Sequence, residues 1–347
     1  MPQVEEQWRR HWAETIRQTG DGQAPGAPAA SGPDGGRRRR VPRGPVELDR
    51  GSWTATLKRT VREFRQDHLV DWAAALAYYG VLAIFPALLA LVSVLGVVGA
   101  SATRPLLDNL SAIAPGPARD IVSTALIDLQ EGPERAGLLV VVGFALALWS
   151  ASGYVGAFMR ASNAIYEIEE GRPIWWKGPL RLGVTLVLVV LLAVSAVAVV
   201  ATGQIADRLG QLLGVGATAV TVWDIAKWPV LLVVVSLMFA ILYWAAPNVE
   251  QPGWRWVSPG GLLAVVLWVL VSAVFAVYVA NFGSYDKTYG TFGGVIVFLV
   301  WLWLSNIAIL LGAELNAELQ RARQMAAGVP ADQEPFLEPR DTRAMKD

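Results

Sequence analysis

Of the 347 residues none is cysteine and only two are histidine, His11 and His68. The missing thiols exclude a disulfide framework, a thiolate metal site and a cysteine nucleophile. The two histidines stand in separate segments, and neither belongs to a His-rich or HExxH-type motif. A metal-dependent hydrolase needs several converging His, Asp or Glu ligands, and this pattern does not supply them. Gly290, Gly293 and Gly294 follow Tyr289 without a GK[ST] sequence, so no phosphate-cradling loop of that type is signalled. With no ATP-binding motif, any transport would be passive, ion-coupled or driven by another subunit. Charge is scarce as well: Asp, Glu, Lys and Arg together make up 17% of the chain.

What the chain does have is long apolar runs. Trp72 to Thr103 is 32 residues without a charge, and about 20 apolar residues suffice to cross a bilayer as a helix. Five further runs of spanning length follow. The reading is an all-α, polytopic membrane protein: a single bundle of six transmembrane helices with amphipathic interfacial helices. The spans fall at about 72–99, 136–159, 181–203, 228–247, 258–281 and 292–316. Together with an interfacial helix at 53–66 they form a membrane domain over 53–320. Residues 1–52 read as a basic, largely disordered cytoplasmic tail, and 321–347 as a second cytoplasmic tail. The first apolar run begins behind some seventy residues, which argues against a cleaved signal peptide.

Orientation follows from the cations. With the N-terminus inside, cytoplasmic segments hold 23 Lys and Arg and outer segments 6, which places both termini in the cytoplasm. Trp175, Trp176, Trp223, Trp228, Trp254 and Trp256 cluster at span ends, as an interfacial aromatic belt does. The stripe Trp53, Leu57, Val61, Phe64 and His68 recurs at helical spacing and predicts a helix lying in the headgroup plane. Arg37, Arg38, Arg39 and Arg40, with Lys58, Arg59, Arg62 and Arg65, would meet anionic headgroups. Membrane lipids are therefore the expected partners. No nucleic acid and no cofactor is called for, and the chain could assemble as a homo-oligomer. Interfacial helices are also expected near Ile121–Leu129 and Leu209–Leu213. Ser258 reads as the N-cap of the fifth span, with Pro259 at its first helical position.

Three blocks carry a resemblance: DHLVDWAAALAYYGVLAIFPALLALVSVLG, then LWSASGYVGAFMRASNAIYEIEEGRPIWWKGPLRL, then YDKTYGTFGGVIVFLVWLWLSNIAILLGAELNAEL. In this order they resemble the YihY/BrkB integral membrane proteins, also labelled ribonuclease BN-like, over roughly residues 55–320. The resemblance implies a six-helix bacterial inner-membrane protein. Family labels point both to a virulence or serum-resistance factor and to a tRNA-processing nuclease. Some members are linked to movement of lipids or lipopolysaccharide precursors, and the residues weigh against the nuclease.

Polar groups placed where lipid would penalise them are the candidate site. Asp67 and Asp71, four apart, are expected on one face of the first helix. Arg160 ends the second span and Glu314 the sixth, so Asp71, Arg160 and Glu314 are expected to meet at a cytoplasmic mouth. That mouth reads either as a structural ion-pair clasp or as a gate for an anionic headgroup. Tyr78, Tyr79, Pro86, Ser150, Ser152 and Asn306 would line a path beyond it, or serve helix packing. Tyr285, Asp286, Lys287 and Tyr289 form an outer turn, a tight polar connection or an outer gate. The leading function is transport or flipping of a lipid or lipid-linked envelope precursor. A channel for small solutes and a non-transporting envelope-assembly scaffold stay open as alternatives.

Overall fold

In the computed structural model the described residues are 44–98, 133–200, 217–251, 253–281, 291–330 and 335–345, with Pro42 and Gln333. All regular elements among them are helices. After a short 3-10 turn at Pro45–Glu47 comes α1 (Arg50–Gln66), followed by α2 (Leu69–Val98), α3 (Pro133–Ile165) and α4 (Ile174–Val200). The remainder are α5 (Ala217–Ala245), α6 (Trp254–Asn281) and α7 (Thr291–Ala327). Helices α3 to α7 are each long and apolar enough to cross a membrane. α2 runs 30 residues with Asp71 as its one charge, so six spans and a seventh, amphipathic helix make a polytopic bundle.

Asp49 starts α1: its carboxylate accepts from the Gly51 and Ser52 amides (3.1 and 3.3 Å) and satisfies donors that the first turn leaves open. α1 packs on α7 through a face other than its most apolar one. Thr56 and Thr60 are buried, while Leu57 and Val61 are 48% and 55% exposed. Small threonines let the two helices approach, which leaves the larger aliphatics free for lipid. Asp67 closes α1, and His68 takes a positive φ of 52° before α2 begins. That residue therefore does not continue the helical stripe expected of it.

The spans form a ring. Each packs against its neighbours in sequence, and α7 returns to α2. Cross-ring approaches are few, chiefly from α3 to α7 and α5. Among the described residues the core gathers at one end, here the polar end, where α1 and the 166–173 and 246–251 connections lie. Its core includes Leu69, Leu76, Phe158, Met159, Tyr243 and Leu310. Gly260 and Gly312 bring α6 and α7 together so closely that a Cβ on either would strike the other's carbonyl oxygen. Beside that joint, Tyr243 of α5 donates to the Ile309 carbonyl of α7 (2.6 Å).

Several boundaries differ from the sequence reading. α6 begins at Trp254, so Pro259 lies inside the helix and not at its start. Proline interrupts the hydrogen-bond ladder there, and the adjacent Gly260 amide donates instead to Asn316 Oδ1 of α7 (2.8 Å). α5 begins at Ala217, which makes 217–227 part of the same helix as the fourth span. The interfacial helices expected near 121–129 and 209–213 lie outside the described residues.

After α7 the chain turns at Gly328, whose φ of 105° suits glycine alone. Residues 335–345 then run back across the polar end. Pro339 pairs antiparallel with Val249. The Glu250 amide donates to Glu338 O (2.8 Å) and the Ala344 amide to Gly171 O (2.8 Å). Asn248, wholly buried, donates to Asp341 O (2.7 Å) and accepts from its amide (3.1 Å). Phe336 stacks on Tyr166 (5.9 Å) and carries the Arg321 guanidinium over its ring, 4.6 Å from the centre.

Candidate functional site

The residues singled out in the sequence do not meet at one mouth. Asp67 caps α1 and Asp71 sits in the first turn of α2. The break at His68 means that they do not share a helix face. Asp71 is exposed and lies 4.0 Å from the His68 imidazole. Arg160 is also exposed, with its guanidinium over the Tyr79 ring, 5.8 Å from the centroid. Glu314 is 1% exposed, and its Oε2 finds no hydrogen-bond donor. No ion pair joins Arg160, Asp71 and Glu314 among the described residues, because α7 turns Glu314 toward α1 whereas α3 presents Arg160 outward.

The charges that meet are others. Glu318, one turn beyond Glu314 on α7, takes Arg59 of α1 on Oε2 (2.5 Å) and Arg321 on Oε1 (3.4 Å). Arg321 in turn donates to Glu167 beyond the end of α3 (2.7 Å). Gln320, fully buried, donates to the Tyr166 hydroxyl (3.0 Å). A ladder of polar side chains thus runs along the last turns of α7 and ties α1, the α3 terminus and the returning C-terminal segment together. Of the cations proposed for headgroups, Arg59 is committed to Glu318, and Arg62 lies beside Glu63 (2.6 Å). Lys58 and Arg65 are exposed, and Arg37–Arg40 lie outside the described residues.

Deeper in the bundle, Asn306 accepts from Tyr154 (2.8 Å), and its amide nitrogen has no partner. Ser152 is buried and bonded to its own helix at the Trp149 carbonyl (2.6 Å). Ser150 donates across to the Leu82 carbonyl of α2 (2.9 Å). Tyr79 rests against Gly153 of α3, and Tyr78 is exposed at 61%. Pro86 lies within α2 with its side chain outside the described residues, and so does the whole outer turn of Tyr285, Asp286, Lys287 and Tyr289. No group of three His, Asp or Glu that could hold a metal occurs among the described residues.

A second polar cluster sits in the 166–173 connection. Glu170 receives Arg172 (2.7 Å) and Lys177 (3.3 Å). Arg172, itself buried, also donates to the Ala245 and Ala246 carbonyls that end α5 (3.2 and 2.8 Å). Burial pushes the Glu170 carboxyl up, but the Arg172 hydrogen bonds and charge, with Lys177, outweigh it and hold the group below its ordinary value.

This ring of spans, with a charged helix laid before it and a polar ladder ending its last span, has relatives. Residues 60–335 match the family described as virulence factor BrkB. The chain belongs to that family. A Bacillus subtilis relative named as a ribonuclease-like protein, YfkH, is 32% identical over 73% of this chain and 90% of its own length. A UPF0761 membrane protein of Alkalilimnicola ehrlichii is 31% identical over 78% of this chain, and one of Aromatoleum aromaticum 29% over 74%. The chain spans about 60% of the length of these last two. No solved structure matches. BrkB-family membership agrees with the three sequence blocks, all of which lie within or overlap the matched stretch.

Proposed function

We propose that this BrkB-family membrane protein moves a lipid or lipid-linked envelope precursor between the leaflets of the bacterial inner membrane, with the polar end and both termini in the cytoplasm. The observation that carries this reading is the contrast between the two parts of the ring. At the polar end side chains interlock, whereas only 11% of the spanning windows of α4 and α6 is covered by other parts of the protein. Apolar faces that stay open alongside a closed polar end offer acyl chains a lateral surface. Ser152, Asn306 and Glu314 are buried between helices, so the route runs along the lipid-facing side of the bundle and not through its centre. The filled polar end also favours a second reading, an assembly scaffold that transports nothing.

Reconstitution separates the two. The purified chain in liposomes should speed the exchange of a fluorescent phospholipid between leaflets without raising ion leak. Ion flux without lipid exchange would replace the reading with a channel. Neither activity above protein-free vesicles would leave the scaffold. The ribonuclease-like name belongs to YfkH.

A further inference from the structure

Among the described residues, two guanidinium groups without a counter-ion converge. Arg160 of α3 and Arg181 of α4 both lie against Gly156. Measured from the point where a Cβ on that glycine would sit, Arg181 Cδ is at 3.1 Å, Arg181 Nη1 at 3.4 Å and Arg160 Nη1 at 3.9 Å. Neither arginine forms an ion pair or side-chain hydrogen bond among the described residues, and Arg181 Nε is buried without a partner. Two like charges brought to one point repel. An anion placed between them turns that repulsion into attraction.

Arginines near a span end commonly snorkel to water with their heads free. Here each is held back by an aromatic face: Arg160 over Tyr79 (5.8 Å) and Arg181 over Trp149 (5.9 Å). A ring face takes up none of the N–H donors that a guanidinium offers to a tetrahedral oxyanion. Gly153 and Gly156 make room on α3 for Tyr79 and Arg181 to seat. Depth is matched too. Arg160 lies five residues before the end of α3 and Arg181 seven after the start of α4, about 8–10 Å inside each helix end. Trp175 and Trp176 stand exposed at that end of α4, where an interfacial belt belongs. On the same two helices Phe144, Trp149, Val187 and Val190 are open to lipid.

We infer that Arg160 and Arg181 form a phosphate-binding site at the α3–α4 crevice, facing the bilayer at headgroup depth. Its ligand is a phosphate group, carried by a phospholipid or free. The inference deepens the proposed function and rests on it for the choice of a lipid as the natural source.

Native mass spectrometry of the full chain in detergent tests binding without requiring transport. Wild type should retain phosphatidylglycerol at least about tenfold more tightly than diacylglycerol, which lacks the phosphate. Arg160→Gln and Arg181→Gln should each weaken phosphatidylglycerol about tenfold, the scale of one charge-assisted hydrogen bond, and leave diacylglycerol unchanged. Gly156→Val keeps both charges but fills the crevice, and should lose the same preference. Glycerol 3-phosphate and inorganic phosphate form the other arm. Displacement of the lipid by millimolar phosphate would assign the site to a free anion, and resistance to it would assign the lipid headgroup. Equal retention of the two lipids by wild type overturns the site whatever the variants do. Preference that survives in the folded double variant overturns it also. If the site binds as stated and liposomes show no lipid exchange, the transport reading falls while the site stands.

Discussion

Arg59→Ala is the sharpest probe of how the amphipathic helix α1 is held. Arg59 reaches Glu318 Oε2 at 2.5 Å, and the two side chains are 17% and 3% exposed. Removing one partner of a buried pair typically costs about 3–5 kcal/mol because the remaining charge is left uncompensated. Here Arg321 stays near the other oxygen at 3.4 Å, though it is already engaged by Glu167, so the expected loss is smaller, about 2–3 kcal/mol. Glu314 on the preceding turn adds a second buried carboxyl without a cation of its own, which keeps the loss from vanishing. For a bundle of this size each kcal/mol moves the midpoint by roughly 2–4 °C, hence a drop of about 6 °C. Adding Glu318→Gln removes the stranded charge and should restore half or more of that drop. The assay is the apparent melting midpoint of the purified chain in one detergent, compared across both single variants and the double at one heating rate. An Arg59→Ala midpoint equal to wild type, or a double variant whose losses simply add, would refute the claim that this pair is buried and coupled.

Other outcomes follow from the same geometry. At Gly171 an added Cβ would collide with the Asp341 carbonyl, so Gly171→Val should lift the 335–345 segment off the polar end. Limited trypsin should then cut at Arg340 and Arg343 in the variant well before it does in wild type. Glu170 is held below its usual carboxyl value, so its contribution to stability is complete above the free-chain value of 4.5 and drains away as pH falls through the lower folded value. Melting midpoints measured on descending through that acid window should fall, and Glu170→Gln should flatten this acid limb. Orientation can be read with single cysteines, since the natural chain has none. Ser31→Cys should resist an impermeant thiol reagent in intact cells and Ser123→Cys should react.

The bundle was legible because hydrocarbon imposes one rule, about 20 apolar residues per crossing, and the sequence obeys it in blocks. Its helix ends were not legible, because a helix may continue beyond the membrane wherever protein covers it. α7 runs to Ala327 through Glu314, Glu318, Arg321 and Arg323, residues that hydropathy reads as an exit from the bilayer. The partners of Glu318 and Arg321 are on α1 and in the 166–173 connection, far away in sequence. The C-terminal segment escaped notice for a similar reason. Phe336 and Leu337 are its buried apolar residues, set among Pro, Glu and Arg. What docks them is Asn248, Gly171 and Tyr166, and no local pattern announces that match.

The charge cluster shows where helical-wheel reasoning stops. Asp67 and Asp71 have the spacing of neighbours on one helix, but His68 breaks the backbone between them, and neither glycine nor proline marks the break. Arg160 and Glu314 were assigned to one side of the membrane on sound grounds, yet depth fixes only one coordinate and says nothing of azimuth. α7 buries its carboxylates toward α1, while α3 leaves Arg160 exposed with the half-buried Arg181 of α4 beside it. Arg181 carries a signal of its own in the sequence, a cation seven residues inside an apolar helix. The separation has a physical consequence. A phosphate entering the ring would approach Glu314 and Glu318, whereas one at the α3–α4 crevice would meet two guanidiniums that form no ion pair among the described residues. Electrostatics and the closed packing of the polar end thus favour the same side of the protein, the open α3–α4 crevice, for any anionic headgroup this chain handles.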